Sequence, residues 1–450
     1  MVRRDAAIER LLIGVAVACT AIVMLRDLHG LAGVAAIGIG TAAATWVGTR
    51  EASNVPPSLP WAAMLLLAVI AVARAPMGSH DLWAYASYGR LLQHYHADPY
   101  HAVVAQFPGD PVFRLVGGTW QHTPSAYGPL FVGVAAAVSK FAGTNLLRLR
   151  LGFQIPAALA MFACAWIAAS TTGRRALVVF VGLQPMVWIS VVNGAHADAY
   201  VALAAVAAVA LLRRDHIVGA AVVLGLAALV KIAALFAAPV VVLVLLSRHR
   251  RRDALRFIAG VGALMLLALA VAPSSFTSAA HATHGMISRA SPWRLVVQSR
   301  LISPGTASTL GLVAAVLIIA EIARRNRSTA DLAMPMALAL AVYAIVAGFT
   351  LPWYALWSMP VAAMSSRRSI AVLTALHGAI LLAAYQAATA TAAGRISGGL
   401  LTIGLPVLTV AILLVFVVRQ PRSFWLRRVD IDAPSRQLGA ELVQGGERSV

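Results

Sequence analysis

The chain has 450 residues, 60% of them hydrophobic and 12% charged, and a formal net charge of +20. A soluble domain carries roughly 25% charged residues, so this composition excludes an ordinary soluble enzyme and identifies an all-α polytopic membrane protein, because only helices and closed barrels satisfy their own backbone across lipid. The basic excess fits Arg sorted to one side of a membrane better than a nucleic-acid surface, and the two cysteines, Cys19 and Cys164, lie in apolar runs that support neither a disulfide framework nor a metal site.

Apolar runs long enough to span about 30 Å occur near 8–25, 31–48, 61–76, 150–171, 176–193, 195–212, 216–231, 232–247, 255–272, 308–322, 331–349, 353–365, 370–387 and 400–419. Met1-Val-Arg-Arg precedes the first run without a small-residue cleavage site, which reads as a retained span. The run 129–142 is shorter and interrupted by Lys140, so it is expected to be an interfacial or re-entrant helix. With the N-terminus in the cytoplasm, the inner loops collect Arg174, Arg175, Arg213, Arg214, Arg248, Arg250, Arg251, Arg252, Arg324, Arg325, Arg327, Arg367 and Arg368. Making 129–142 a full span would turn half of the protein against these charges, so about fourteen spans with both termini cytoplasmic are expected.

That threading makes 1–419 a single transmembrane domain with two long outer loops, 77–149 and 273–307, and leaves 420–450 as a polar cytoplasmic tail expected to be disordered. Long loops of this kind usually carry function. The sequence contains neither a phosphate-binding glycine loop of the nucleotide type nor an internal repeat.

Only 16 residues are Asp or Glu, and five of them fall on the outer side: Asp27, Asp81, Asp98, Asp110 and Asp198. Asp27 neighbours Arg26 in a short turn, and Asp110 sits in the turn-like Pro108-Gly-Asp-Pro. Asp98, followed by Pro99 and Tyr100, favours a turn and is assigned a structural role in the loop. Asp81 follows the third span among Trp83, Tyr85 and Tyr88, where it suits either headgroup chemistry or a helix N-cap. Asp198 lies with Asn193 and His196 at an outer helix end, suited to a polar cavity or to capping. Lys231 is one of only two lysines and interrupts an apolar run at its outer end. It is placed either to hold a phosphate or to snorkel to the interface.

The ordered motifs Asp81, Asp98-Pro99-Tyr100, W-x-x-T-P-x-x-Y-G-P-L (120–130), N-x-L-R-x-R (145–150), N-G-x-H-x-D (193–198), G-L-A-A-L-V-K (225–231) and L-P-W-Y-x-L-W-x-x-P (351–360) together resemble the GT-C glycosyltransferases. More narrowly, they are similar to the actinobacterial polyprenol-phosphate-mannose-dependent alpha-(1->6)-mannopyranosyltransferases, over roughly 77–360. The resemblance implies a GT-C fold in the cell membrane, with an extracytoplasmic active site and interfacial helices in the first outer loop. It implies mannose transfer from polyprenyl-phosphate mannose to a lipid-linked mannan or glycolipid acceptor, with inversion at the anomeric carbon. Asp81 matches the family's general base, since a sugar hydroxyl needs a positioned carboxylate to take its proton. Lys231, then Arg294 and Arg90, are the candidates for stabilising the departing phosphate. Trp353 and Tyr354 match positions lining the donor cavity, whereas Trp357 reads as an ordinary aromatic belt residue. Tyr85, Tyr127, Asn193, His196 and Asp198 complete the expected sugar, lipid or acceptor site. His80 beside Asp81 departs from the paired acids of some GT-C proteins, so no metal or other cofactor is expected. A donor carrying arabinofuranose is the alternative within this class. A lipid or sugar transporter, or a subunit holding a partner enzyme, are the alternatives outside it.

Overall fold

The computed structural model describes residues 2–51 and 53–385, together with Gly404 and Val407. Among them every regular element is helical. Three helices open the chain: α1 (Val2–Arg26), α2 (Gly30–Gly48) and α3 (Ser58–Ala73), with α1 packed along both of its successors. Their shared end is locked by a buried acid. Glu9 is fully enclosed, pairs with Arg50 at 3.1 Å, and accepts from the Ser53 hydroxyl and the Asn54 amide at 2.9 Å each.

The loop after α3 is largely ordered by its own short helices, α4 (Asp81–Gln93), α5 (Gly118–Gln121) and α6 (Pro129–Ala142). α6 starts with Pro129 in its first turn, where a missing N–H costs nothing, and packs on α4. α7 (Leu146–Thr172) begins where Asn145 accepts a hydrogen bond from the Arg148 amide at 2.9 Å, a side-chain N-cap.

The remaining elements are α8 (Leu177–Gly182), α9 (Asp198–Arg213), α10 (Ile217–Val230), α11 (Ala238–Ser247), α12 (Arg251–Val271), α13 (Ser274–Thr283), α14 (Arg294–Gln298), α15 (Pro304–Arg325), α16 (Ala333–Val346), α17 (Met359–Met364) and α18 (Arg368–Tyr385). Among the described residues, α1, α2, α7, α12, α15 and α18 are long and apolar enough to cross a membrane. They leave residues such as Leu266, Val271 and Leu317 exposed, as an apolar exterior requires in lipid. The other expected spans up to residue 385 also fall on helix, while 400–419, apart from Gly404 and Val407, and the tail 420–450 lie outside the described residues.

Three of those expected spans are not continuous helices. The segment 176–193 breaks after α8 and resumes as a π-helical turn over Val187–Val192, and the breaks follow the chemistry of Pro185, which supplies no N–H. The segments 232–247 and 353–365 each open with a 3₁₀ stretch, Ile232–Ala237 and Pro352–Trp357, before α11 and α17. The short α17 has its last carbonyls satisfied by arginines: Arg174 donates to Ala363 at 3.1 Å and Arg213 to Met364 at 2.6 Å. Broken helices leave backbone and polar side chains turned into the protein, which is tolerated at membrane depth only where they are buried in protein or line a water-filled cavity.

Candidate functional site

Asp81 is the first residue of α4, and the N-cap position belongs to His80. The Asp81 amide donates to the Ser79 hydroxyl at 3.1 Å. Its carboxylate turns inward instead, 8% of the residue being exposed, with Oδ2 3.5 Å from Nδ1 of His196. Burial lifts the Asp81 carboxyl to about 6, with the Asp198 charge adding to the rise, while the Ser79 hydroxyl and Lys231 pull it back.

The approach to Asp81 is fixed by Asn193. Its amide nitrogen donates to the carbonyls of Ala71 (3.0 Å), Arg74 (3.3 Å) and Ala75 (3.0 Å), and its oxygen accepts from the Met77 amide at 2.6 Å. The end of α3 and the following linker leave helical carbonyls unsatisfied, and one buried amide side chain answers them. Gln154 then holds the Asn193 carbonyl at 2.7 Å. The whole Asn193 amide is thus engaged with backbone rather than with the cavity.

His196 and Asp198 are delivered by an unusual stretch of backbone. The π-helical turn ends at Val192, Ala195 sits in the left-handed region at φ 54°, and α9 starts at Asp198. A non-glycine residue there is strained, and such strain is typical of functional sites. Gly194 between them has no room for a side chain, since a Cβ would meet Nε2 of His196 and the Ser190 carbonyl at 2.7 Å each.

His196 is fully buried, and its ring stacks on Trp353 with centroids 3.4 Å apart and planes 15° off parallel. Tyr85 reaches Nδ1 of His196 at 3.3 Å, and its hydroxyl also meets that of Tyr127 at 3.0 Å. Asp198 is fully buried too, and its Oδ1 accepts from Lys231 Nζ at 3.0 Å and from the Trp357 indole N–H at 2.6 Å. Lys231 closes α10 in an extended conformation, a favourable place for a cation at a helix C-terminus. Its ammonium lies 4.1 Å from the ring centroid of Tyr354, 5.1 Å from Trp357 and 5.6 Å from Tyr127, within cation–π range. Gly128 makes the neighbouring crossing possible: its amide bonds the Val230 carbonyl at 3.0 Å, and a Cβ there would lie 2.1 Å from the Leu229 carbonyl.

Trp357 is therefore not an aromatic belt residue. It is fully buried and its N–H is spent on the Asp198 carboxylate. Three polar atoms in this cluster are buried with no protein partner: Nε2 of His196, Oδ2 of Asp198 and Nε1 of Trp353. Buried polar atoms are normally paired, so this concentration points to a polar ligand or water at the site.

Asp81 and Trp353 reach a cavity of about 690 Å³, whose wall also carries Trp120, Ser190, Arg289 and Tyr385. That volume suits a small-molecule site. Arg289 is the arginine on this wall, 5.8 Å above the Tyr385 ring. Arg294 opens α14 and is absent from the wall. Arg90 is also absent from it, since this buried side chain donates to Asp110 at 2.7 Å and to the Gly143 carbonyl at 2.8 Å. It ties α4 to the Asp110 turn and to the end of α6. Lys231, Asp198 and Tyr354 lie behind His196 and Trp353 rather than on the cavity wall. Asp98 shapes its loop, accepting from the Tyr100 amide at 2.9 Å and pairing with His101 at 2.7 Å.

The sequence alone does not single out Arg289. Both arginines stand in Ser288-Arg-Ala-Ser-Pro-Trp-Arg, and the turn decides between them. Ser291 and Trp293 donate to the carbonyls of Ala347 and Val346 at 3.1 and 2.6 Å, anchoring the turn so that Arg289 faces the cavity.

Comparison with known proteins matches residues 9–247 to a family model described as Alpha-(1->6)-mannopyranosyltransferase, N-terminal domain. Alpha-(1->6)-mannopyranosyltransferase A of Mycobacterium tuberculosis is 29% identical over 269 residues, covering 55% of this chain and 50% of that protein. Its namesake in Corynebacterium glutamicum is 27% identical over 174 residues, covering 37% and 35%. The chain thus spans half the length, or less, of these curated relatives.

Proposed function

The chain belongs to the alpha-(1->6)-mannopyranosyltransferase family, and from that membership we propose that it moves mannose from a polyprenyl-phosphate mannose to a hydroxyl of a lipid-linked mannan or glycolipid. The reaction takes place on the outer face of the cell membrane, with both termini of the chain in the cytoplasm, and it inverts the anomeric centre to give an alpha-(1->6) linkage. The observation that carries this reading is the carboxylate of Asp81, held on the wall of a 690 Å³ cavity that also presents Arg289.

In the proposed step, the acceptor oxygen forms a bond to the anomeric carbon as the bond from that carbon to the phosphate oxygen breaks. The acceptor proton passes to Asp81, and the polyprenyl phosphate leaves with the electron pair. A carboxyl lifted to about 6 is a stronger base than an ordinary aspartate and is still largely ionised at neutral pH. Arg289 offers a bidentate fork to the departing phosphate. Lys231, already paired with Asp198, supports the site from behind by fixing Asp198, Tyr354 and Trp357 in one cluster. His196 orients the Asp81 carboxylate and is itself held flat by Trp353.

The direct test is transfer by purified protein from radiolabelled polyprenyl-phosphate mannose to a short α-mannoside. Formation of a longer α-(1->6)-mannoside is expected. Transfer from an arabinofuranosyl lipid but not from the mannosyl lipid would replace the sugar and keep the class. Movement of intact lipid across a vesicle bilayer, without transfer, would replace the class.

A further inference from the structure

A second cavity of about 470 Å³ adjoins the first, the two sharing Met286 in their walls. One side is built by the first long loop, through His101, His122 and Thr123, and the other by α13 and the turn after it, through Thr277, His281 and His284. Ser278 ties the two sides together by donating to the Ser125 carbonyl at 2.8 Å, and within the first loop the Ser125 amide donates to the Pro99 carbonyl at 2.8 Å. A preformed pocket of this size is in the usual range for a small-molecule site, roughly 300–1,000 Å³.

The two cavities differ in charge. The first presents Asp81 and Arg289, whereas the wall of the second contains no Asp, Glu, Lys or Arg among the described residues. Four imidazoles and several hydroxyls take their place. A neutral imidazole carries one donor and one acceptor nitrogen, the pairing that suits sugar hydroxyls, which both donate and accept. Two of the rings are pre-set. The Asp98 carboxylate accepts from Nδ1 of His101 at 2.7 Å, and the Thr277 carbonyl accepts from Nδ1 of His281 at 2.7 Å. Each partner is an acceptor, so Nδ1 carries a proton in both rings, and in the neutral form of each ring Nε2 is then the acceptor. The Asp98-Pro99-Tyr100 turn thereby acquires a purpose beyond shaping the loop: it sets the tautomer of His101.

We propose that this second cavity is the acceptor subsite and takes a neutral oligosaccharide, whose terminal sugar passes Met286 to present its hydroxyl to Asp81. The assignment rests on the reading of the protein as a mannosyltransferase, and it separates the two substrates by charge, the anionic donor in the first cavity and the uncharged glycan in the second.

The test measures binding and transfer separately, on the full chain in lipid nanodiscs. Binding of an α-(1->6)-linked mannotriose is followed by saturation-transfer NMR without donor, in the wild type, His101→Ala, His281→Ala and the cavity-filling Ala282→Trp. Each histidine variant is expected to weaken the triose by about tenfold, equivalent to one lost hydrogen bond of about 1.4 kcal/mol, and Ala282→Trp to abolish binding. In the transfer assay the same change should appear in the acceptor KM rather than in kcat or in the donor KM. Both histidines have exposed side chains or sit on an exposed helix face, so their variants remain informative even if Ala282→Trp fails to fold. A wild type that does not bind the triose, or triose binding unchanged in both histidine variants, overturns the proposal. Histidine-dependent triose binding in a protein that transfers no mannose would uphold the subsite and sink the transferase reading. Mannose transfer whose triose KM ignores both histidines would do the reverse.

Discussion

The imidazole of His196 lies flat against the indole of Trp353, ring centroids 3.4 Å apart, and this places its Nδ1 3.5 Å from the carboxylate of Asp81. A base in a transferase must meet its proton from a fixed direction. The stack supplies that direction from two broken helical segments, one ending before His196 and the other opening at Pro352.

The pH dependence of turnover should report Asp81. A base acts in its ionised form, and burial raises this carboxyl to about 6. Activity should therefore be full above about pH 7 and fall through a single ionisation near pH 6 as the solution is acidified. An ordinary aspartate near 3.9 would keep its activity down to about pH 5. A profile of kcat/KM between pH 4.5 and 8 distinguishes the two.

Arg289 and Arg294 should separate in kinetics. Arg289→Ala removes the arginine of the cavity wall and is expected to lower kcat/KM for the donor by on the order of 10²-fold, the usual cost of losing a charge-stabilising donor. Arg294→Ala should stay within a few-fold of wild type. Equal losses in both variants would count against the phosphate role given to Arg289.

Lys231→Met should destabilise the protein more than it alters surface charge. It strands the fully buried Asp198 carboxylate, and breaking one side of a buried pair costs about 3–5 kcal/mol. Adding Asp198→Asn should recover part of that loss. Thermal melting of the two single variants and the double variant in one detergent gives the coupling. An additive double variant would show that the pair contributes nothing.

Trp357→Phe keeps an aromatic side chain but removes the five-membered half of the indole together with the N–H that reaches Asp198 at 2.6 Å. A hydrogen bond to a charged group is worth about 1.5–3 kcal/mol, so melting should fall measurably. A belt tryptophan at the interface would tolerate the change.

These residues were unequally visible in the sequence. Asp81, His196, Asp198 and Lys231 stand out because a charge or imidazole within or at the end of an apolar run needs a reason, and the structure brings all four together. The helical class follows from the same apolar runs. The breaks after α8 and before α11 and α17 depend on how prolines and backbone carbonyls are satisfied by neighbours, which no linear pattern carries. Asn193 reads like a site residue because it shares a motif with His196, yet its amide holds the backbone of 71–77. The choice of Arg289 over Arg294 and the duty of Trp357 rest on long-range contacts, with Val346 and Ala347 for the first and with Asp198 for the second.

Asp81 is proposed here as the base of a mannosyl transfer. The most direct measurement of that role is the rate at which purified wild type and Asp81→Asn form α-mannoside from polyprenyl-phosphate mannose, with folding of both checked by melting. A loss of about 10²–10⁴-fold is expected in the Asn variant, with the fold retained. Transfer at the wild-type rate by Asp81→Asn would contradict that role.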